Sequence, residues 1–419
     1  LISFLTLFFS KNGMEISLAV FFFSLSLIYL NKNILIFCDY YMPGYKAGGP
    51  IRSIQNLVEK LASYYNFYII TRDRDFGDKE PYTSANIGQW QQVGAAQVYY
   101  ASPGESLAKV AKNIEYEHMY INSFFSPHFS LKPLLLRKLG KLKKVPVTLA
   151  PRGELLKNTM KLKRYKKIPY FWMFKLLGLP KGIRFQATSA EEEEVIYTHF
   201  GRNTPVVLCT NMFNATMLKN KAPAKQVGAA KLVFVARLSP KKNLHGALEA
   251  LKNVTSRIDF DIIGPIEGEG YWESIKNLID SLPENIQVSY LGAKSPAKVE
   301  EALTYYHGLF FPTIGENFGH SILEAMAAGC VPVISNTTPW LNLEEHEAGY
   351  ACPLEETALM EAVENLAAFD AETWQQWSAN AAAYARKISQ DEQTIQNARR
   401  LFDWGYIEEI AWQIPQFLI

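Results

Sequence analysis

The chain of 419 residues has only four cysteines, Cys38, Cys209, Cys330 and Cys352, and no C-x-x-C pair. They are scattered in or beside apolar segments, which argues against a disulfide framework and against a structural zinc site, and suits buried free thiols in a reducing cytosol. An excess of one charge is also missing. With 43 Lys and Arg against 41 Asp and Glu, the net charge of +2 implies no particular partner by itself. Nothing repeats at a fixed short period, so a solenoid is excluded. No G-x-G-x-x-G follows the first strand, which argues against a dinucleotide dehydrogenase. Beyond residue 30 no apolar run is long enough to span a bilayer, which takes about 20 residues.

What is present is an ordinary globular composition, 48% hydrophobic and 20% charged. The length is too great for one compact core, so two domains are expected. Residues 1–30 stand apart. "LISFLTLFFS" and "ISLAVFFFSLSLIYL" are apolar, and the second run, Ile16 to Leu30, has 15 residues, short for an unaided span. This N-terminal extension is either a signal-anchor or sequence read in ahead of the domain start at "NKNILIFCDYY".

From there short apolar strands alternate with longer amphipathic segments. Strands are expected over 33–38, 67–71, 97–100, 119–122, 145–149, 184–187 and 206–209. After a polar stretch, "NKAPAKQVGAAK", they resume over 232–236, 260–263, 288–291, 309–312 and 331–335. Alternation of this kind predicts parallel sheets covered by helices. The expected fold class is therefore α/β, with two Rossmann-like, doubly wound domains facing each other across a cleft. The expected divisions are 31–220, 221–390, and a helical C-terminal segment, 391–419, packing on the domains.

In open α/β sheets ligands bind beyond the carboxyl ends of the strands. The stretch "GENFGHSILEAMAAGCVPVIS", Gly315 to Ser335, places Glu316 just past a strand end and Gly319 and His320 at a helix N-terminus, with Glu324 inside the helix. A helix N-terminus favours an anion, and Gly319 permits close backbone approach. Carboxylates on either side accept hydrogen bonds from hydroxyls. An anionic middle with hydroxyls at both ends describes a nucleotide sugar. Taken alone, two such glutamates are often only solvated.

The stretch "LVFVARLSPKKNLHGALEAL" carries the matching cations. Arg237 follows the strand, Lys242 stands near the helix start, and Asn243 is placed to cap that helix. An Arg fork and a Lys point charge in one loop can clamp a diphosphate, although alone they are commonly surface charges. Pro240 and Lys241 add no evident chemistry.

"RLSPKKN" followed about eighty residues on by "ENFGHSILEAMAAGCVPVI" resembles the C-terminal domain of glycosyltransferase family 4, retaining enzymes of GT-B fold. The resemblance runs from about Asn33 to the end and is sharpest from Lys231 to Ser335. It implies that Arg237 and Lys242 bind the donor diphosphate. It places Glu316 on the donor sugar's hydroxyls, the backbone of Asn317, Phe318, Gly319, His320 and Ser321 beside sugar and phosphate, and Glu324 on the ribose. It implies substitution at the anomeric carbon with retained configuration, and no metal or other cofactor. Gly264 stands where relatives carry a Gly-rich turn, but "PIEGEGYW" is a different loop, which leaves the donor's base open.

On the N-terminal side, Gly48 and Gly49 in "CDYYMPGYKAGGPIRSIQ" resemble the family loop that approaches donor phosphates and acceptor, with Lys46 and Arg52 as lesser candidates. Arg152 in "TLAPRGELLKN" and His128 in "SFFSPHFS" follow strands and are candidates for the cleft, though Arg152 also suits a structural ion pair. The acids Glu191 to Glu194 follow Ser189, a helix N-cap candidate. Residues 137–167 hold twelve Lys or Arg and one acid, Glu154, and the aromatic run "YFWMFKLLGL" follows. This pattern suits peripheral contact with an anionic membrane surface or a lipid-diphosphate acceptor, and equally a solvated helix face beside an apolar run that is simply core. No nucleic-acid motif accompanies the charge.

The expectation is a cytoplasmic hexosyl transferase, peripheral at or anchored to the inner membrane face. It would move a sugar from a nucleotide-sugar donor to a glycan or lipid-linked acceptor in bacterial surface polysaccharide assembly. The alternatives are a GT-B sugar-nucleotide epimerase and a non-catalytic nucleotide-sugar-binding partner subunit.

Overall fold

The computed structural model describes residues 32–156, 159–160, 164–215 and 218–403. The extension over 1–30 and the C-terminal aromatics Trp404, Tyr406 and Trp412 lie outside the described residues.

The first sheet is built from β1 (Lys32–Cys38), β2 (Tyr65–Arg72), β3 (Trp90–Val93), β4 (Ala96–Ala101), β5 (His118–Asn122), β6 (Val147–Ala150), β7 (Arg184–Ala187) and β8 (Val206–Leu208). Its order is β3-β4-β2-β1-β5-β6-β7-β8. Every pairing is parallel except that of β3 with β4. The second sheet contains β9 (Ala229–Val235), β10 (Arg257–Ile263), β11 (Ile286–Tyr290), β12 (Gly308–Phe311), β13 (Val331–Ser335) and β14 (Tyr350–Cys352). It is parallel throughout, in the order β11-β10-β9-β12-β13-β14. Strands such as "KNILIFC" and "VPVIS" are buried on both faces because helices cover both sides, so they read as continuous apolar runs.

The two strands absent from the expected set sit at sheet edges. β3 is antiparallel and only partly buried, and β14 has three residues, too short to show a period. Edge pairing decides both of them, and local pattern does not report it.

Each sheet reverses its winding direction once near its centre. The reversal falls between β1 and β5 in the first sheet and between β9 and β12 in the second. Loops after these strands open a crevice where ligands of such sheets bind. "RLSPKKN" follows β9, "GENFGH" follows β12, and the Gly48–Gly49 loop follows β1. All three therefore meet at switch points.

After the helix Ala371–Ser389 the chain crosses back to the first sheet. Phe402 is buried there against Tyr65, Phe67, His118 and Tyr120. The Thr148 hydroxyl donates to the Leu401 carbonyl at 2.7 Å, and the Lys60 ammonium to the Ser389 carbonyl at 2.8 Å. These contacts tie the end of the described chain to the half where it began.

Candidate active site

A cleft of about 350 Å³ lies between the two sheets and gathers most of the sequence candidates. Gly48, Gly49, Arg152, Arg237, Lys242, Gly264, Glu316, Asn317, Phe318, Gly319, His320, Ser321 and Glu324 all line it.

On the C-terminal side, two loops are locked together before any ligand arrives. Asn243 sits at φ 58° and accepts from the Gly246 N–H, capping the helix Leu244–Leu251. Its side-chain amide donates across to the Pro312 carbonyl at 2.9 Å. The Ile314 N–H donates to the Lys241 carbonyl at 3.0 Å. The pairing aims the Lys242 ammonium at the Glu316 carboxylate, with which it forms a short hydrogen-bonded ion pair, both side chains mostly buried. Arg237 reaches Glu267 at 3.1 Å from a more open position. Lys241 also lines the cleft; burial holds its pKa below the usual lysine value, opposed by Glu316 and reinforced by Lys242 and Arg237. Sequence reasoning passed over Lys241, although three cations in one short loop were visible in "RLSPKK".

The helix His320–Ala327 begins after Gly319, whose φ of 78° is the left-handed conformation glycine favours. The Phe318 carbonyl is taken by the Trp340 indole N–H at 2.6 Å, which fixes the turn from behind. His320 is buried and its Nε2 lies 3.1 Å from the Ser53 hydroxyl of the opposite half. Ser53 donates its own proton to the Gly49 carbonyl at 3.0 Å. Its oxygen can therefore only accept from His320, which puts the imidazole proton on Nε2 and leaves Nδ1 a lone pair. That Nδ1 is buried with no partner among the described residues. Burial, then Arg52 and Arg152, push the His320 pKa down to about 3, so the ring is neutral. A neutral ring in the fold and a protonated one in the unfolded chain make stability fall as pH drops from the ordinary imidazole value of 6.5 towards about 3. His320→Gln is expected to flatten that part of the profile. Urea unfolding at pH 7 and pH 5 would show a smaller loss in the variant than in the parent.

Gly264 follows β10 at φ 151°, and a Cβ there would sit 1.8 Å from the Ala236 carbonyl oxygen, immediately before Arg237. Gly264→Ala must push the β9 loop away. It is expected to lower stability by more than about 1 kcal/mol in urea unfolding and to weaken donor binding with it.

The N-terminal half supplies the opposing wall. Gly48, at φ 73°, precedes the helix Gly49–Leu61 and packs near Arg237, while Gly49 faces His320. Arg152 makes no ion pair among the described residues. Its guanidinium donates to Asn122 Oδ1 at 2.7 Å, to the Tyr120 hydroxyl at 2.6 Å and to Asn211 Oδ1, all neutral acceptors. Its neighbour Gly153 admits the Asn317 amide, which a Cβ would meet at 2.1 Å. Arg52 crosses the cleft: Nε donates to Glu324 Oε1 at 2.9 Å and Nη2 to Glu300 Oε1 at 2.5 Å. Glu324 is buried deeply enough that its pKa is raised, against the pull of Arg52.

Some candidates lie elsewhere. His128, expected in the cleft, sits in the turn Pro127–Leu131 and lines a separate hollow with Arg72, Ser102 and Phe129. A turn rather than a direct strand end carries it aside. Lys46 pairs with Asp78 and does not line the cleft. Of the four acids after Ser189, Glu192 is fully buried and accepts from the N–H groups of Thr188 and Gly153 and from the Thr188 hydroxyl. It braces the Arg152 turn, beyond the helix-terminal role the sequence suggested.

Two Asp-x-Asp triplets are present and engaged in structure. Asp75 of the first accepts from the N–H groups of Tyr45 and Lys46, and Asp261 of the second from the Tyr306 hydroxyl at 2.7 Å. Among the described residues no cluster of three His, Cys, Asp or Glu could hold a metal ion. No helix among them is long and apolar enough to cross a membrane.

The fold and the loops around this cleft define a transferase enzyme of the GT-B kind. Residues 218–384 match the family described as glycosyl transferases group 1. No curated protein matches the chain by sequence. Among solved structures it is similar to HepE of Anabaena in complex with UDP and glucose, at 16% identity and a TM-score of 0.63, covering 91% of this chain and 100% of that one. It is also similar to sucrose-phosphate synthase from Thermosynechococcus elongatus, at 15% identity and TM-score 0.67, covering 91% and 99%. WaaG, a glycosyltransferase involved in lipopolysaccharide biosynthesis, matches at 12% identity and TM-score 0.59, covering 88% and 98%. At these identities the likeness establishes the GT-B fold.

Proposed function

We propose that the chain transfers a sugar from a nucleotide-sugar donor to a glycan or lipid-linked acceptor, with retention at the anomeric carbon, as a family 4 enzyme of bacterial surface polysaccharide assembly. The observation that carries this reading is the convergence of Arg237, Lys241, Lys242 and the N-terminus of the helix His320–Ala327 on one cleft, with Glu316 and Glu324 at either side. Three cations and free N–H groups suit a diphosphate, and the flanking carboxylates suit hydroxyls of a sugar and a ribose. HepE, with which this chain shares its fold, was solved with UDP and with UDP-glucose.

Arg237 and Lys242 would neutralise the leaving diphosphate as the glycosidic bond breaks. Glu316 would hold the sugar's hydroxyls, and the open lone pair of His320 Nδ1 suits a ligand hydroxyl rather than a phosphate oxygen. The N-terminal half would present the acceptor opposite the anomeric carbon, and closure would exclude water and favour transfer over hydrolysis. No metal or other cofactor is assigned to the reaction.

The test is nucleoside diphosphate release from a panel of sugar nucleotides, with and without a membrane lipid extract, alongside Glu316→Gln. Release from one donor, raised by lipid and lost in the variant, supports the transferase. A new sugar nucleotide formed without acceptor points to an epimerase. Donor binding with no turnover points to a partner subunit.

A further inference from the structure

The helix Arg164–Leu176 buries one face in the first domain and shows solvent another that is equally apolar. Tyr170, Phe171 and Phe174 are buried, packing on Phe124 and, for Phe171 and Phe174, on Phe200 as well. On the outer side Tyr165 is 74% exposed, Trp172 65% and Leu176 89%, with Pro169 and Met173 exposed between them. These five recur at i, i+4, i+7, i+8 and i+11, which is a single helical stripe. An isolated exposed apolar residue needs no explanation; a continuous stripe with a tryptophan does. Leu139, 68% exposed, lies in the turn whose neighbour Lys138 donates to the Leu177 carbonyl at 2.6 Å, so it joins the same surface.

The rim of the stripe is basic. Arg164, Lys166, Lys141 and Lys181 are exposed, and Lys175 lies with its ammonium 4.8 Å from the Phe171 ring. Opposing charge is absent nearby in sequence: between Glu117 and Glu191 the only acid is Glu154. Glu154 is buried, accepting from the N–H groups of Phe124 and Phe125. A protein partner of mixed charge would meet one sign only. A bilayer rich in anionic headgroups offers a negative plane for the lysines and an acyl boundary for the tryptophan and leucine.

We propose that the outer face of the helix Arg164–Leu176 docks the protein on an anionic membrane surface, with Trp172 and Leu176 inserted and Lys166, Lys175 and Lys141 at headgroup level. This goes beyond the transfer reaction and stands independently of it. It also shifts the contact expected over 137–167: Lys141, Arg164 and Lys166 of that stretch belong to the rim, while the inserting side chains lie further along the chain.

The experiment is co-sedimentation of the full chain with phosphatidylcholine vesicles, with and without phosphatidylglycerol. The parent, Trp172→Ser/Leu176→Ser and Lys141→Glu/Lys166→Glu are compared, with thermal unfolding as the fold control. The parent is expected to bind phosphatidylglycerol vesicles preferentially. Both double variants are expected to bind about tenfold more weakly or worse, and binding by the parent should fall with salt. Equal binding by the parent and Trp172→Ser/Leu176→Ser overturns the proposal, as does no preference for phosphatidylglycerol. Self-association without lipid that the Trp172 and Leu176 changes abolish would also overturn it, in favour of a second copy on this face.

Discussion

Glu316→Gln is expected to lower sugar transfer by at least about 100-fold while the protein remains folded and still binds donor. The substitution keeps the size of the side chain and one of its oxygens. It removes the negative charge that pairs with Lys242, and it replaces an acceptor with an amide that donates. In the free cleft the Gln oxygen can still accept from the Lys242 ammonium, which lines the cleft, so loss of the fold is not expected. In the occupied cleft two things fail together. Sugar hydroxyls lose a charged acceptor, and Lys242 loses the anchor that holds it near the diphosphate. Groups needed mainly as charge develops on the leaving group affect turnover more than binding. The check is a steady-state measurement with a titration of donor binding and a circular dichroism spectrum. The expected pattern is a collapse in kcat, donor Kd within about tenfold of the parent, and an unchanged spectrum.

Glu316 was legible in the sequence because its loop is self-contained. Strand, turn, helix and strand all fall within "GLFFPTIGENFGHSILEAMAAGCVPVIS", so local pattern alone put the acid at a strand end and Gly319 at a helix start. Arg237, Lys242 and Asn243 were legible for the same reason. Contacts that cross the cleft were not. Arg52 and Glu324 are 272 residues apart, and Ser53 and His320 are 267 apart. Their meeting depends on how the Gly49–Leu61 helix faces the second domain, which no local periodicity encodes. Gly153, beside Arg152 after a strand, likewise gives no local sign that Asn317 of the other half packs against it. His128 shows the opposite failure. Its place just after β5 suggested the cleft, and one helical turn is enough to send it to another hollow. The Arg164–Leu176 helix was half legible: its aromatic run suited a membrane contact and a core segment equally, and only the fold shows which side is left bare.

Arg52→Met is expected to destabilise the protein by about 3 kcal/mol, the order found when one partner of a buried ion pair is removed. The Arg52 side chain is 16% exposed and that of Glu324 14%, so neither charge is well solvated. Met fills similar volume but leaves Glu324 buried without its cation, beside the Glu300 carboxylate that also raises its pKa. Burial already raises that pKa against the pull of Arg52, and without Arg52 it rises further. A carboxyl whose folded pKa exceeds its unfolded one loses stability as pH climbs from the unfolded value towards the folded one. The deficit of Arg52→Met should therefore be larger at pH 8 than at pH 5. Adding Glu324→Gln should restore most of it, because a neutral amide needs no counter-charge. Urea unfolding of the parent, both single variants and the double variant at the two pH values closes the cycle. If the double variant is as unstable as the sum of the singles, the pair is not coupled and Arg52 acts through packing alone. If coupling is found, Glu324 is held in the free protein by a guanidinium from the opposite domain, a contact that a ribose would have to share or displace. Donor binding would then depend on Arg52 as well as on the residues that touch the donor.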